Sequence, residues 1–157
     1  MTLPDPETSR LARFVERRSV LVICLVWLTY LAVTRLWPTS FWLEVPSIRV
    51  MNAVAGEDVR MFVDRRINRD FTAHWTAVIR LDNGSDSTVV CAADAVSNYR
   101  QGADLPPLVT LSWWTNGRCT TLPPGVYSIT TIWELNGGTF LPDKEVEAVS
   151  NLFEVTP

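Results

Sequence analysis

One histidine, three cysteines and a scatter of carboxylates are all that the 157 residues offer for catalysis or metal binding. A Ser-His-Asp or Cys-His mechanism would have to run through His74. That residue stands among Thr72, Thr76 and Arg80 on the polar side of an alternating stretch. No Gly-x-Ser-x-Gly elbow accompanies it, so it reads as an exposed strand histidine. Three cysteines and one histidine do not make a zinc set, and neither a metal nor a cofactor is expected. Glu57-Asp58 and the trio Asp143, Glu145 and Glu147 have the residue type that glycoside cleavage uses. They fall at turns and alternating positions, where solvated charge is the ordinary outcome.

Binding chemistry is better represented. "DRRINRD" (64–70) packs Arg65, Arg66 and Arg69 between two aspartates: a self-neutralised solvated loop, or a corner that recognises anions such as lipid headgroups or an acidic partner. In "SWWT", Trp113 and Trp114 are adjacent. On a strand they would point to opposite faces, so only one could enter a core. The other would be exposed, or covered by the loop "SNYRQGADLPP"; if exposed, it would suit a protein partner or a sugar ring. Trp and Arg dominate binding hot spots, which makes Trp113, Trp114, Arg65, Arg66 and Arg69 the candidate partner-binding set.

The compartment of these groups depends on the segment before them. Ser19–Thr34 is sixteen residues without a charge, flanked by Arg10, Arg13, Arg17 and Arg18 on one side and Arg35 on the other. The run is apolar all round, unlike a helix buried on one face. It predicts a transmembrane anchor over 19–37, after a cytoplasmic basic tail at 1–18. Arg17, Arg18, Arg35, Trp37 and Trp42 would lie at the membrane interfaces. A cleaved leader is the rival, but "AVTRLWP" offers no small-x-small site. Cys24 follows Ile23 and lies mid-run, unlike a lipoprotein cysteine. The excess of arginine before the span places the N-terminus in the cytoplasm and the rest outside. In an oxidising compartment, Cys91 and Cys119 would form a disulfide.

After a tether at 38–46, residues 47–157 turn to period two. "DFTAHWTAVIRLDNG" sets Phe71, Ala73, Trp75, Ala77, Ile79 and Leu81 on one face and ends in an Asn-Gly turn. "EDVRMFVD", "STVVCAA", "PLVTLSWWT", "LPPGVYSITTIWEL" and "KEVEAVSNLFEV" read as further strands, the last entered through Gly137-Gly138. About seven short strands predict an all-β, immunoglobulin-like sandwich behind one transmembrane helix. Residues 38–157 carry nine basic and fourteen acidic groups, a net of −5 that argues against gripping nucleic acid.

"VDRRINRDFTAHW", "LSWWTNGRC", "LPPGVYSITTIWEL" and "SNLFEV" resemble small single-span membrane proteins of unassigned activity, encoded by tailed phages and prophages of proteobacteria. The likeness covers most of residues 15–157 and implies a bacterial inner membrane and a phage setting. It transfers no catalytic residue. The expectation is a non-enzymatic, membrane-anchored periplasmic binding module, with a protein or envelope component as partner. It would be a phage envelope factor in lysis regulation or superinfection exclusion. The alternatives are an envelope hydrolase using carboxylate chemistry, or a secreted sandwich freed by leader cleavage.

Overall fold

Apolar residues at every second position decide most of the architecture, because each such strand must bury one face. The computed structural model describes the backbone of residues 6–103, 105–136 and 143–157, and side chains from Arg18 on except at residue 35. It divides into two compact units, Met1–Trp37 and Pro38–Pro157. The first holds helix α1, Pro6–Leu36. The second is mostly β and contains two sheets.

The smaller sheet has β1 (Leu43–Val50), β3 (Arg60–Ile67) and β6 (Leu108–Thr110), antiparallel in the order β1-β3-β6. The larger follows the order β2 (Ala53–Val54), β9 (Phe153–Thr156), β7 (Gly125–Leu135), β4 (Phe71–Asp82), β5 (Ser87–Tyr99). β8 (Lys144–Val149) also pairs with β7, so β8 and β9 succeed one another along the same edge. At the break between them, Ser150 Oγ accepts from the Ile129 amide at 2.9 Å. The Asn151 side chain takes the Val50 amide at 2.8 Å and donates to its carbonyl at 3.1 Å, tying β1 to the larger sheet. Met61, Ala77, Ile79, Tyr127, Ile129 and Phe153 make the centre of the core.

Most positions of the alternating series behave as their spacing demands, Trp75 and Leu81 being only half-buried. Val59, Met61 and Val63 are buried, as are Phe71, Ala73, Ala77 and Ile79. The Asn83-Gly84 turn closes the β4–β5 hairpin, with the Asn83 amide on the Asp86 carbonyl and the Gly84 amide on Asp82 Oδ1. Gly84 has φ +82°, a conformation that suits glycine.

Five expectations need correction. The 38–46 tether is only partly a tether: from Leu43 the chain is already β1, with Leu43, Ile48 and Val50 buried. Pro46 fits there because the β1–β3 register shifts between Glu44 and Ser47. Trp42 is not an interface anchor; it is 8% exposed within the β unit, its ring edge-on to Phe41. "DRRI" is no loop: it continues β3, opposite Leu43, Glu44 and Ser47 of β1. "PLVTLSWWT" is not one strand, since β6 stops after three residues and the chain turns into a short helix, α2 (Leu111–Trp114). Finally, no helix of the described residues is long and apolar enough to cross a membrane. The uncharged run of sixteen residues covers about 24 Å against a hydrocarbon layer of about 30 Å, and Trp37 lies past the end of α1.

Eleven large apolar or aromatic residues from Val20 to Val33 are nevertheless 42–63% exposed. The turn expected at Gly137-Gly138 lies outside the described residues, as do the side chains of Arg17 and Arg35.

Candidate functional site

α2 exists because side chains close in sequence or space cap its N-terminus and a backbone turn closes its C-terminus. Thr110 Oγ1 accepts from the Trp113 amide at 3.3 Å. Asp58 accepts from the Ser112 amide at 3.1 Å and from its hydroxyl. The helix ends where Asn116 and Gly117 take positive φ, and the Gly117 amide returns to the Ser112 carbonyl at 2.7 Å. Threonine before the turn and Asn-Gly after it were the legible signals for this helix; alternation in "LVTLSW" masked them.

The helical turn separates the two tryptophans. Trp114 is 6% exposed, its indole N–H donating to Thr131 Oγ1 at 3.0 Å and its ring edge-on to Trp133 at 6.0 Å. Trp113 is 54% exposed. One is buried and one open, through helical geometry and not strand alternation.

Between them lies a cleft of about 940 Å³, walled by Trp75, Trp113, Trp114, Trp133 and Tyr99. Trp75 belongs to the inward series of β4 and faces Trp133 of β7 in register. It stays half-buried between buried Ala73 and Ala77, because it fronts the cleft. The indoles are fixed by hydroxyls: Trp75 donates to Ser97 at 3.0 Å and Trp133 to Tyr99 at 3.1 Å. Tyr99 stacks on Phe71 at 4.7 Å. Burial pushes its phenol above the ordinary tyrosine range, so it is a neutral hydroxyl at neutral pH.

Arg65 enters this cleft from β3. Its Cζ is 5.6 Å from the Trp113 ring centre and 5.2 Å from that of Trp114. Its Nε and Nη2 are buried and have no hydrogen-bond partner among the described residues. Burial pulls its pKa below the ordinary arginine value, an effect partly opposed by Tyr99, but arginine remains charged at neutral pH. Arg100 also lines the cleft, and the described lining includes no aspartate or glutamate. A chain of net charge −3 thus presents a cationic, aromatic concavity.

The expected binding set is therefore split. Arg65 joins Trp113 and Trp114; Arg66 is exposed at the Glu44 register position, and Arg69 lies over the Phe41 ring at 3.9 Å. Strand alternation after Arg65 and Arg66 sends them to opposite faces. Trp75, Trp133 and Tyr99 were not singled out from sequence, since strand aromatics normally fill cores. Of the carboxylates weighed for hydrolysis, Asp58 is committed to Ser112, while Glu145 and Glu147 lie on β8 opposite Glu134 and Ile132. No three described His, Cys, Asp or Glu residues are grouped to hold a metal ion.

His74 sits on the outward face of the larger sheet, its Nε2 3.5 Å from Asp94 and its Nδ1 3.4 Å from Glu134. Arg118 binds Asp94 at 2.7 Å. The hydrogen bond from His74, and then Arg118, hold the Asp94 carboxyl below its ordinary value. The folded state therefore releases this proton more readily than the unfolded chain. The resulting stabilisation is fully present above the ordinary carboxylate range and is lost as pH falls through the depressed folded value. In an NMR carboxyl titration, His74→Gln or Arg118→Ala should each move the Asp94 midpoint upward. An unmoved midpoint in both would discard this electrostatic account.

Cys91 and Cys119 form a disulfide, with Cα atoms 6.2 Å apart. It fastens β5 to the segment following α2. No protein-family model matches the chain, and no curated protein is significantly similar to it.

Proposed function

We propose that the protein is a non-enzymatic binding module held at the bacterial inner membrane, and that it captures an envelope component in the aromatic cleft around Arg65. The carrying observation is that guanidinium, set beside two indoles with two buried nitrogens unpartnered among the described residues. Buried polar groups are nearly always satisfied, so an unsatisfied guanidinium edge bordering a pocket is a candidate ligand contact.

Compartment and fold follow from other features. The disulfide supports an oxidising location for residues 38–157. The exposed apolar collar of α1 supports a membrane location for the chain. Arg10, Arg13, Arg17 and Arg18 then favour a cytoplasmic N-terminus and a periplasmic β unit. An immunoglobulin-like sandwich is supported by strand order: with β2 set aside, the first, second and fifth strands share one sheet and the remainder form the other. Tyr127, near the start of β7, donates its hydroxyl to the Pro123 carbonyl at 2.7 Å, like the tyrosine corner of such folds. The resemblance to single-span phage proteins supports a role at the host envelope, in lysis regulation or superinfection exclusion.

The test has two arms. A phosphatase fused after Pro157 should be active and a cytoplasmic reporter there dark; the reverse pattern would refute the placement. Full-length protein in detergent micelles should be retained by bacterial envelope fragments. Trp113→Ala should weaken that capture by about 2 kcal/mol or more, with circular dichroism unchanged. Undiminished capture by a folded Trp113→Ala protein would move the binding surface elsewhere.

A further inference from the structure

The two unpartnered nitrogens of Arg65 are not an arbitrary pair. Nε and Nη2 form the side-on edge of the guanidinium, which offers two parallel N–H groups at the spacing of a carboxylate's two oxygens. No described carboxylate lines the cleft to take that place. The guanidinium lies beside the Trp113 and Trp114 rings, its Cζ 5.6 and 5.2 Å from their centres, and its Nε–Nη2 edge is the part without a partner among the described residues.

The rest of the lining narrows the ligand further. Trp113 presents a large exposed aromatic surface. Around the aromatic walls, the hydroxyls of Ser97, Thr110 and Ser112 and the amide of Asn116 supply donors and acceptors. A pyranose ring matches this combination, with an apolar C–H face and a rim of hydroxyl groups. A fatty acid would instead require a continuous aliphatic wall. A volume of about 940 Å³ is at the upper end of ordinary ligand sites, about 300–1,000 Å³.

We propose that the cleft binds a carboxylated sugar, with its carboxylate on the Nε–Nη2 edge of Arg65 and its ring against Trp113. This rests on the cleft being the ligand site, as proposed above, and adds the class of ligand. Because both nitrogens are closed to solvent, the anion gains access only if a neighbour yields, and Trp113 is the exposed neighbour able to do so. Binding therefore alters tryptophan emission.

Full-length protein in detergent micelles is titrated with digalacturonate, with its neutral methyl ester, with inorganic phosphate and with a short peptide ending in a free carboxylate. Tryptophan fluorescence is the readout. Digalacturonate should give a saturable change at concentrations about tenfold or more below those needed for the ester, the difference expected for a charge-assisted bidentate contact. Arg65→Met should abolish that preference while leaving ester binding in place. Arg65→Lys, which keeps the charge but loses the fork, should lose most of it. Trp113→Ala should weaken both saccharides by about 30-fold. Equal binding of acid and ester overturns the proposal, as does tighter binding of phosphate or the peptide. Absence of any saturable response also overturns it. In that case, continued Trp113-dependent capture of envelope fragments leaves the cleft as a ligand site for something else, whereas loss of capture as well removes both readings.

Discussion

Trp114→Ala should destabilise the β unit by about 3–5 kcal/mol, while its neighbour Trp113→Ala should cost less than about 1 kcal/mol. The asymmetry follows from their surroundings. Trp114 is buried, its ring edge-on to Trp133, and its indole N–H satisfies the buried hydroxyl of Thr131. Truncation leaves a cavity the size of an indole and an abandoned polar group beside it. Trp113 is exposed and contributes mainly its stacking on Arg65. Denaturant unfolding of the two variants measures the contrast. Equal losses would mean that Trp113 is a core residue in solution and that the cleft is closed.

Cys91→Ala combined with Cys119→Ala should lower stability by about 2–5 kcal/mol, the usual cost of removing a native bridge from a small secreted domain. The bridge spans 28 residues, and the chain-entropy model assigns such a loop about 3–4 kcal/mol. The double substitution avoids leaving a lone thiol, and the midpoint of denaturant unfolding reports the loss. A second consequence follows from where the bridge sits. Thr115 receives the Cys119 amide at 3.1 Å and donates to the Leu111 carbonyl at 2.7 Å, so Cys119 is coupled directly to α2. Loosening it should also weaken envelope capture. An unchanged unfolding midpoint would show that the packing of Cys119 alone holds this segment.

Reading period two along the chain was enough to place β4, β7 and the first half of β3 and to choose most of their buried positions, because a strand's inward residues are fixed by alternation once one face must leave water. The Asn-Gly turn and the Cys91–Cys119 pairing were also legible, through local backbone chemistry and cysteine count. The breakdowns share a cause. "LVTLSWWT" alternates for a few residues, but Thr110, Asp58 and the Asn116-Gly117 turn offer its backbone a helical alternative. Asp58 lies 54 positions away, beyond any local pattern. In the same way, adjacent Arg65 and Arg66 look equivalent in sequence, yet β3 sends the first into the cleft and leaves the second exposed.

The sequence by itself determined which residue types were available for recognition: tryptophan, arginine, and no workable catalytic histidine set. Only the tertiary structure decided which of them meet. Trp75 comes from a strand whose pattern announces a core, yet it is half-buried and fronts a cleft, while Trp133 keeps its core place and borders that cleft from within. Apolar periodicity records which face a side chain takes, whereas whether another layer covers that face depends on distant strands. That is why the orphaned edge of Arg65 became visible only in the folded chain.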